Sequence, residues 1–179
     1  AADAELATMA AADELAQGSL EVAERYVRLA ERGVEGPASV PAGRYGQAHL
    51  LLGVVRLMLA RQRGNLPAVA EEARRLQALA ETPDAVPAGL GEDLRALALI
   101  SLGSTEVWAA QVEEAEQHLE QGVALARRIG RLYLVFTGLA YQAVVEIHRS
   151  FARAVERSRQ AVDLAERHGW TDEPPAGVA

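Results

Sequence analysis

Residues 94–130, LRALALISLGSTEVWAAQVEEAEQHLEQGVALARRIG, space small and large residues as two close-packed helices require. Leu99, Leu102 and Gly103 share one face of a first helix. Ala115 follows Gly103 by twelve residues, and Leu119 and Gly122 come four and three residues later. Small residues at Gly103, Ala115 and Gly122 let two helix backbones approach, and Leu99, Leu102 and Leu119 fill the space beside them. The pattern recurs. Second helices align on Ala23, Val69, Ala115 and Ala154, at spacings of 46, 46 and 39 residues. Repetition of one helix pair predicts an all-α chain: a right-handed α-solenoid of four helix hairpins, each burying its stripe on the next.

The boundaries follow from breaker and cap residues. Helix pairs are expected at about 3–33, 44–81, 92–130 and 132–169, as a single segment covering residues 1–179. Gly18-Ser19 breaks the first pair, Ser19 serves as N-cap of the next helix, and Gly33 ends it. Gly64-Asn65 breaks the second, with Asn65 as a cap and Pro67 in the first turn. Two Pro/Gly-rich stretches, 34–43 and 82–91, read as loops. A broad apolar face on the first helix of the second pair carries Leu50, Leu51, Val54, Val55, Leu57 and Met58. The inner stripe of the last helix is expected to be Phe151, Ala154, Val155, Ala161, Val162 and Ala165. Trp170 is expected to pack at the C-terminal end, and TDEPPAGVA to lead into a further helix.

Composition narrows the function classes. Alanine supplies 36 of 179 residues, while Trp, Tyr and Phe together supply eight. Alanine favours helix and close helix contact but fills a core thinly. No run of β-branched residues alternates with polar ones, so no strand is expected. All 18 basic residues are Arg, which excludes a GxxxxGK[ST] phosphate loop. A net charge of −7 argues against nucleic acid as a direct partner. The absence of Cys excludes disulfides, Cys–zinc sites and Cys nucleophiles. The apolar runs are too short and too broken to span a bilayer, and no signal peptide is visible, so the expected compartment is the cytoplasm. The chain opens on Ala1, which reads as a processed chain or a segment excised from a larger protein.

The spacing large-xx-Leu-Gly, then Ala-xxx-large-xx-small, resembles a tetratricopeptide (TPR) repeat. Leu99 stands in place of the usual Trp, Glu106 in place of the usual Tyr, and no closing Pro is present. The period exceeds the ordinary TPR value of about 34 residues, the excess falling in long loops and long first helices. More specifically, the segments GEDLRALALISLG, AEQHLEQGVALARRIG and SFARAVERSRQAVDLAERHGWTDEP resemble the TPR-like region of large LuxR-type, MalT-like transcriptional regulators. The resemblance covers nearly the whole chain and is clearest from Gly64 to Pro174. It implies a sensor and scaffold segment that binds an inducer and self-associates. The upstream ATPase module and the downstream helix-turn-helix are not represented. A free-standing TPR scaffold that binds a partner peptide or helix is the alternative.

No catalytic constellation or cofactor motif supports an enzyme. The four His form neither HExxH nor Glu-xx-His pairs, and none reads as a metal ligand. His118 has Glu114 one turn before it, and His168 complements a helix C-terminus. The acidic pairs Glu71-Glu72 and Glu113-Glu114 read as solvated outer faces. First helices in such an array line the concave surface. The candidate contacts for a small-molecule inducer or protein partner are therefore Met58, Arg61, Leu97, Ile100, Ser104, Trp108, Phe136 and Glu146. Leu51, Val54, Leu139 and Ala143 belong to the same stripes. Trp108 would supply an aromatic face and Arg61 and Glu146 the orienting polar groups. Apolar stripes at helical spacing are usually core, so the same stripes read first as packing positions in a tightly wound array. Self-association through the C-terminal end completes the expectations, because the last hairpin of an array exposes apolar surface unless capped.

Overall fold

A computed structural model describes residues 2–34, 42–82, 86–87, 89–147 and 149–178. Among them every regular element is helical. The helices are α1 (Ala2–Ala16), α2 (Leu20–Val34), α3 (Ala42–Gln62), α4 (Leu66–Glu81), α5 (Leu90–Trp108), α6 (Val112–Arg128), α7 (Leu132–Glu146) and α8 (Phe151–His168). A 3-10 turn, Pro174–Gly177, follows where the sequence suggested entry to another helix. Most of the two expected loops, residues 35–41, 83–85 and 88, lies outside the described residues. The chain divides into two compact units, residues 1–91 and 92–179.

In the first unit α1 packs on α2 and α3, and α3 on α4. The α1 interface is thin, built from Ala4, Ala7 and Ala11, each 4% exposed or less. Gly33 does not end α2, which runs on to Val34. Its role is closeness: a Cβ there would sit 3.0 Å from the Cβ of Ala4. The buried surface of α3 is not the one broad face expected: Leu52, Val55 and Leu59 lie on one side of the helix and Leu50 and Leu57 on the opposite side. Leu50, Leu52, Val55, Leu57 and Leu59 are buried, whereas Leu51 and Met58 are exposed. Asn65 caps α4 as expected, its Oδ1 accepting the Ala68 N–H at 3.2 Å.

The second unit holds the larger aromatic core, with α5, α6, α7 and α8 contributing to one cluster. Glycine and leucine interlock as the spacing required. A Cβ on Gly103 would lie 2.6 Å from Leu119 Cγ, and one on Gly122 would lie 2.7 Å from Ile100 Cγ1. Helix α8 ends at Gly169, whose φ of 73° is left-handed, and Trp170 N–H then reaches back to the Ala165 carbonyl at 2.8 Å. Trp170 packs edge-on to Tyr133 and stacks on Phe136, with centroids 5.2 and 5.8 Å away. Pro175 is buried, and Ala176 and Val178 pack on the same core. The stripe expected on α8 needs correction. Ala154, Ala161 and Ala165 face inward, but Phe151 is 74% exposed and Val162 39%. At 100° per residue, Phe151 and Val162 lie on the flank of the alanine stripe rather than within it.

The repeat register survives in burial and in turn geometry. Ala23 and Ala30, Val69 and Leu76, Ala115 and Gly122, and Ala154 and Ala161 are all buried. Five residues before the first member, three of the turns place a left-handed residue: Gly18, Gly64 and Ala110. Ala110 holds φ 58° without glycine's freedom, a strain of about 1 kcal/mol.

Candidate functional site

The residues proposed from sequence as a binding surface are distributed over both units. Met58 and Arg61 lie on α3. Leu97, Ile100, Ser104 and Trp108 lie on α5, and Phe136 and Glu146 on α7. Ile100 and Phe136 are fully buried, and Ser104 is buried with its hydroxyl donating to the Ser101 carbonyl at 2.9 Å. These three do not present a surface: they follow the packing reading, because their helices are covered on more than one side. Leu97 and Arg61 are half-buried, and the Glu146 carboxylate lies mostly inside, 3.8 Å from Arg153. What remains open is Trp108, 62% exposed at the end of α5, and Met58 on α3.

A polar cleft of about 240 Å³ opens in the first unit among α2, α3 and α4. The sequence had placed Glu71 and Glu72 together on a wet face, and for Glu72 that is wrong. Glu72 is only 5% exposed. It comes three residues after Val69 and four before Leu76, so it shares their inward face. Its carboxylate meets Arg56 at 2.5 Å and Arg75 at 3.1 Å. Arg56 also reaches Glu31 at 3.6 Å, tying α2, α3 and α4 together. Across the cleft Arg63 donates to Glu24 at 2.5 Å.

Burial pushes the Glu72 carboxyl above its usual range, against the pull of Arg56 and Arg75. The hydrogen bond from Arg63 holds Glu24 below it, and that from Arg131 does the same for Asp93. The signs are opposite. A raised carboxyl binds a proton more readily folded than unfolded, so its contribution is full below about pH 4.5 and is lost as pH rises through the folded value. Glu24 and Asp93 lose their contributions as pH falls. Denaturation of wild type and Glu72→Gln between pH 4 and 7 isolates the first group. The variant is expected to gain on wild type as pH rises, and a difference that stays flat or runs the other way would refute the assignment.

In the second unit His118 pairs across helices rather than along its own. Its Nδ1 lies 2.7 Å from a carboxylate oxygen of Glu106 on α5. Glu106 is 7% exposed, so His118 supplies the polar partner its burial demands. His168 stacks on Trp170 at 4.7 Å. Among the described residues no group of three His, Cys, Asp or Glu is arranged to hold a metal, and no helix is long and apolar enough to cross a membrane.

The fold and its clefts define a class: an all-helical chain with a repeat-like arrangement of hairpins and polar clefts between helices. Comparison with protein-family models, with curated proteins and with solved structures finds no match.

Proposed function

We propose that this chain is a ligand-sensing and protein-interaction segment, similar to the TPR-like region of LuxR-type, MalT-like regulators, in which four hairpins wind as a right-handed α-solenoid. The observation that supports it most is the shared register of the four second helices, buried at equivalent positions and entered in three cases through the same left-handed turn residue. Architecture of this kind spends its sequence on stacking and leaves recognition to first-helix side chains. Trp108 on the first helix α5 is an aromatic that packing leaves open, 62% exposed. The sensing test follows its emission in a Trp170→Phe background while candidate sugars and other amphipathic inducers are titrated. A saturable shift that Trp108→Ala abolishes is expected. Unchanged emission and unchanged melting across the series would remove Trp108 and the sensing role together. A free-standing scaffold that seats a partner helix is favoured by the exposed Leu51 and Met58 on α3.

Self-association belongs to the same proposal. Phe151 and Val162 leave an apolar stripe along α8, while Trp170 and the 3-10 turn cover α7. Sedimentation velocity is expected to show concentration-dependent dimers that Phe151→Glu converts to monomer. A wild-type monomer at several hundred micromolar would exclude this interface.

A further inference from the structure

Two clefts occupy equivalent places in the repeat. The first is the charged cleft of α2, α3 and α4. The second is a crevice lined by Glu116 and Glu120 of α6, Gln142, Val145 and Glu146 of α7, and Arg157 of α8. Aligning Ala23 with Ala115 and Val69 with Ala154 places Glu24 on Glu116, Arg28 on Glu120 and Glu72 on Arg157. The Arg63–Glu24 ion pair recurs as Arg149–Glu116, which sets the register of the first helices. Arg56 then corresponds to Gln142, Leu59 to Val145 and Ala60 to Glu146.

The substitutions change where the positive charge comes from. In the first cleft the chain supplies it: Arg56 stands between Glu72 and Glu31. In the second, the Arg56 position is Gln142, the Arg28 position is Glu120, and the Ala60 position is Glu146. Gln142 is 7% exposed, and its Oε1 is buried with no hydrogen-bond partner among the described residues. A buried amide oxygen in that condition is a costly feature that a donor would relieve. Glu116 is already engaged by Arg149. Glu146 has the 3.8 Å approach of Arg153 and the more distant charge of Arg149, but among the described residues no shorter ion pair. Three carboxylates face one lining guanidinium, that of Arg157.

We propose that this crevice recognises a primary ammonium group carried on an alkyl chain. An ammonium offers three donors and no acceptor, which matches Gln142 Oε1 and the carboxylates of Glu146 and Glu120. The interior space is about 10 Å³, the room of one water-sized group, which excludes a second planar guanidinium. Val145 supplies an apolar wall for a methylene stem. The chain contains no Lys, so the ammonium comes from outside: a free diamine or the lysine of a partner. Arg157, on the rim, competes for the same acceptors. This site is separate from the one proposed around Trp108 and stands without it.

The experiment titrates the full 179-residue chain, ¹⁵N-labelled, with 1,4-diaminobutane and separately with a blocked Gly-Lys-Gly peptide, at constant ionic strength. The readout is the side-chain amide of Gln142. A saturable shift is expected, weakened about tenfold by Glu146→Gln through loss of a charge-assisted contact and strengthened by Arg157→Gln; Gln142→Leu, followed instead at the backbone amides of Val145 and Glu146, is expected to weaken binding likewise. Backbone spectra of each variant confirm the fold. Saturation by the diamine alone assigns a free amine, and saturation by the peptide alone assigns a partner's lysine. Absence of saturation by both, or an equal response to tetramethylammonium, which has no N–H, overturns the proposal.

Discussion

Gly138→Val is expected to destabilise the second unit by about 3 kcal/mol. A Cβ at Gly138 would fall 2.3 Å from Val123 Cγ2, with Ile100 Cδ1 and Cγ1 each 3.6 Å away. Val123 is 3% exposed and Ile100 fully buried, so neither has free volume to move into. Glycine inside a helix costs about 1 kcal/mol relative to alanine, which sets up a contest that even Gly138→Ala should lose. At 2.3 Å the overlap is with the methyl of a β-branched side chain whose χ1 is held by its helix. Urea denaturation measures the loss, and the cause is tested by a second change. Val123→Ala removes the opposing methyl, so the double variant should recover at least ~1 kcal/mol relative to the sum of the singles. A neutral Gly138→Val, or strict additivity with Val123→Ala, would show that the two helices are not in the contact described.

Phe136→Ala is expected to cost about 3–5 kcal/mol, a large part of the ~5–15 kcal/mol that holds an ordinary domain folded. Phe136 is fully buried, edge-on to Tyr133 and stacked on Trp170. Loss of its ring removes the shelf on which Trp170 and the Pro174–Gly177 turn rest. The variant should therefore show two effects: a lower denaturation midpoint and a red-shifted Trp170 emission, read in a Trp108→Phe background. A destabilised protein with unshifted Trp170 emission in its folded baseline would mean that α8 and Gly169, not Phe136, position the indole.

The all-helical class and the placing of the second helices were legible in the sequence, because both rest on one-dimensional periodicity. Small and large residues at helical spacing dictate which side of a second helix turns inward, and Ala23, Val69, Ala115 and Ala154 are buried accordingly. Three judgements failed for reasons the same periodicity could have caught. Glu72 was assigned by its charge rather than by its position between Val69 and Leu76. Phe151 and Val162 were assigned by hydrophobicity rather than by their angle from the alanine stripe. Gly33 was read as a helix end, although small residues also serve close approach. Other features have no one-dimensional signal. Whether a first-helix residue such as Ile100 or Trp108 is core or surface depends on how many neighbours cover its helix. The His118–Glu106 pair and the partnerless oxygen of Gln142 depend on which side chains converge across α5, α6, α7 and α8. Periodicity specifies a direction around one helix axis. Only the packing of several axes determines what stands in that direction, and so which polar groups are satisfied and which await a partner.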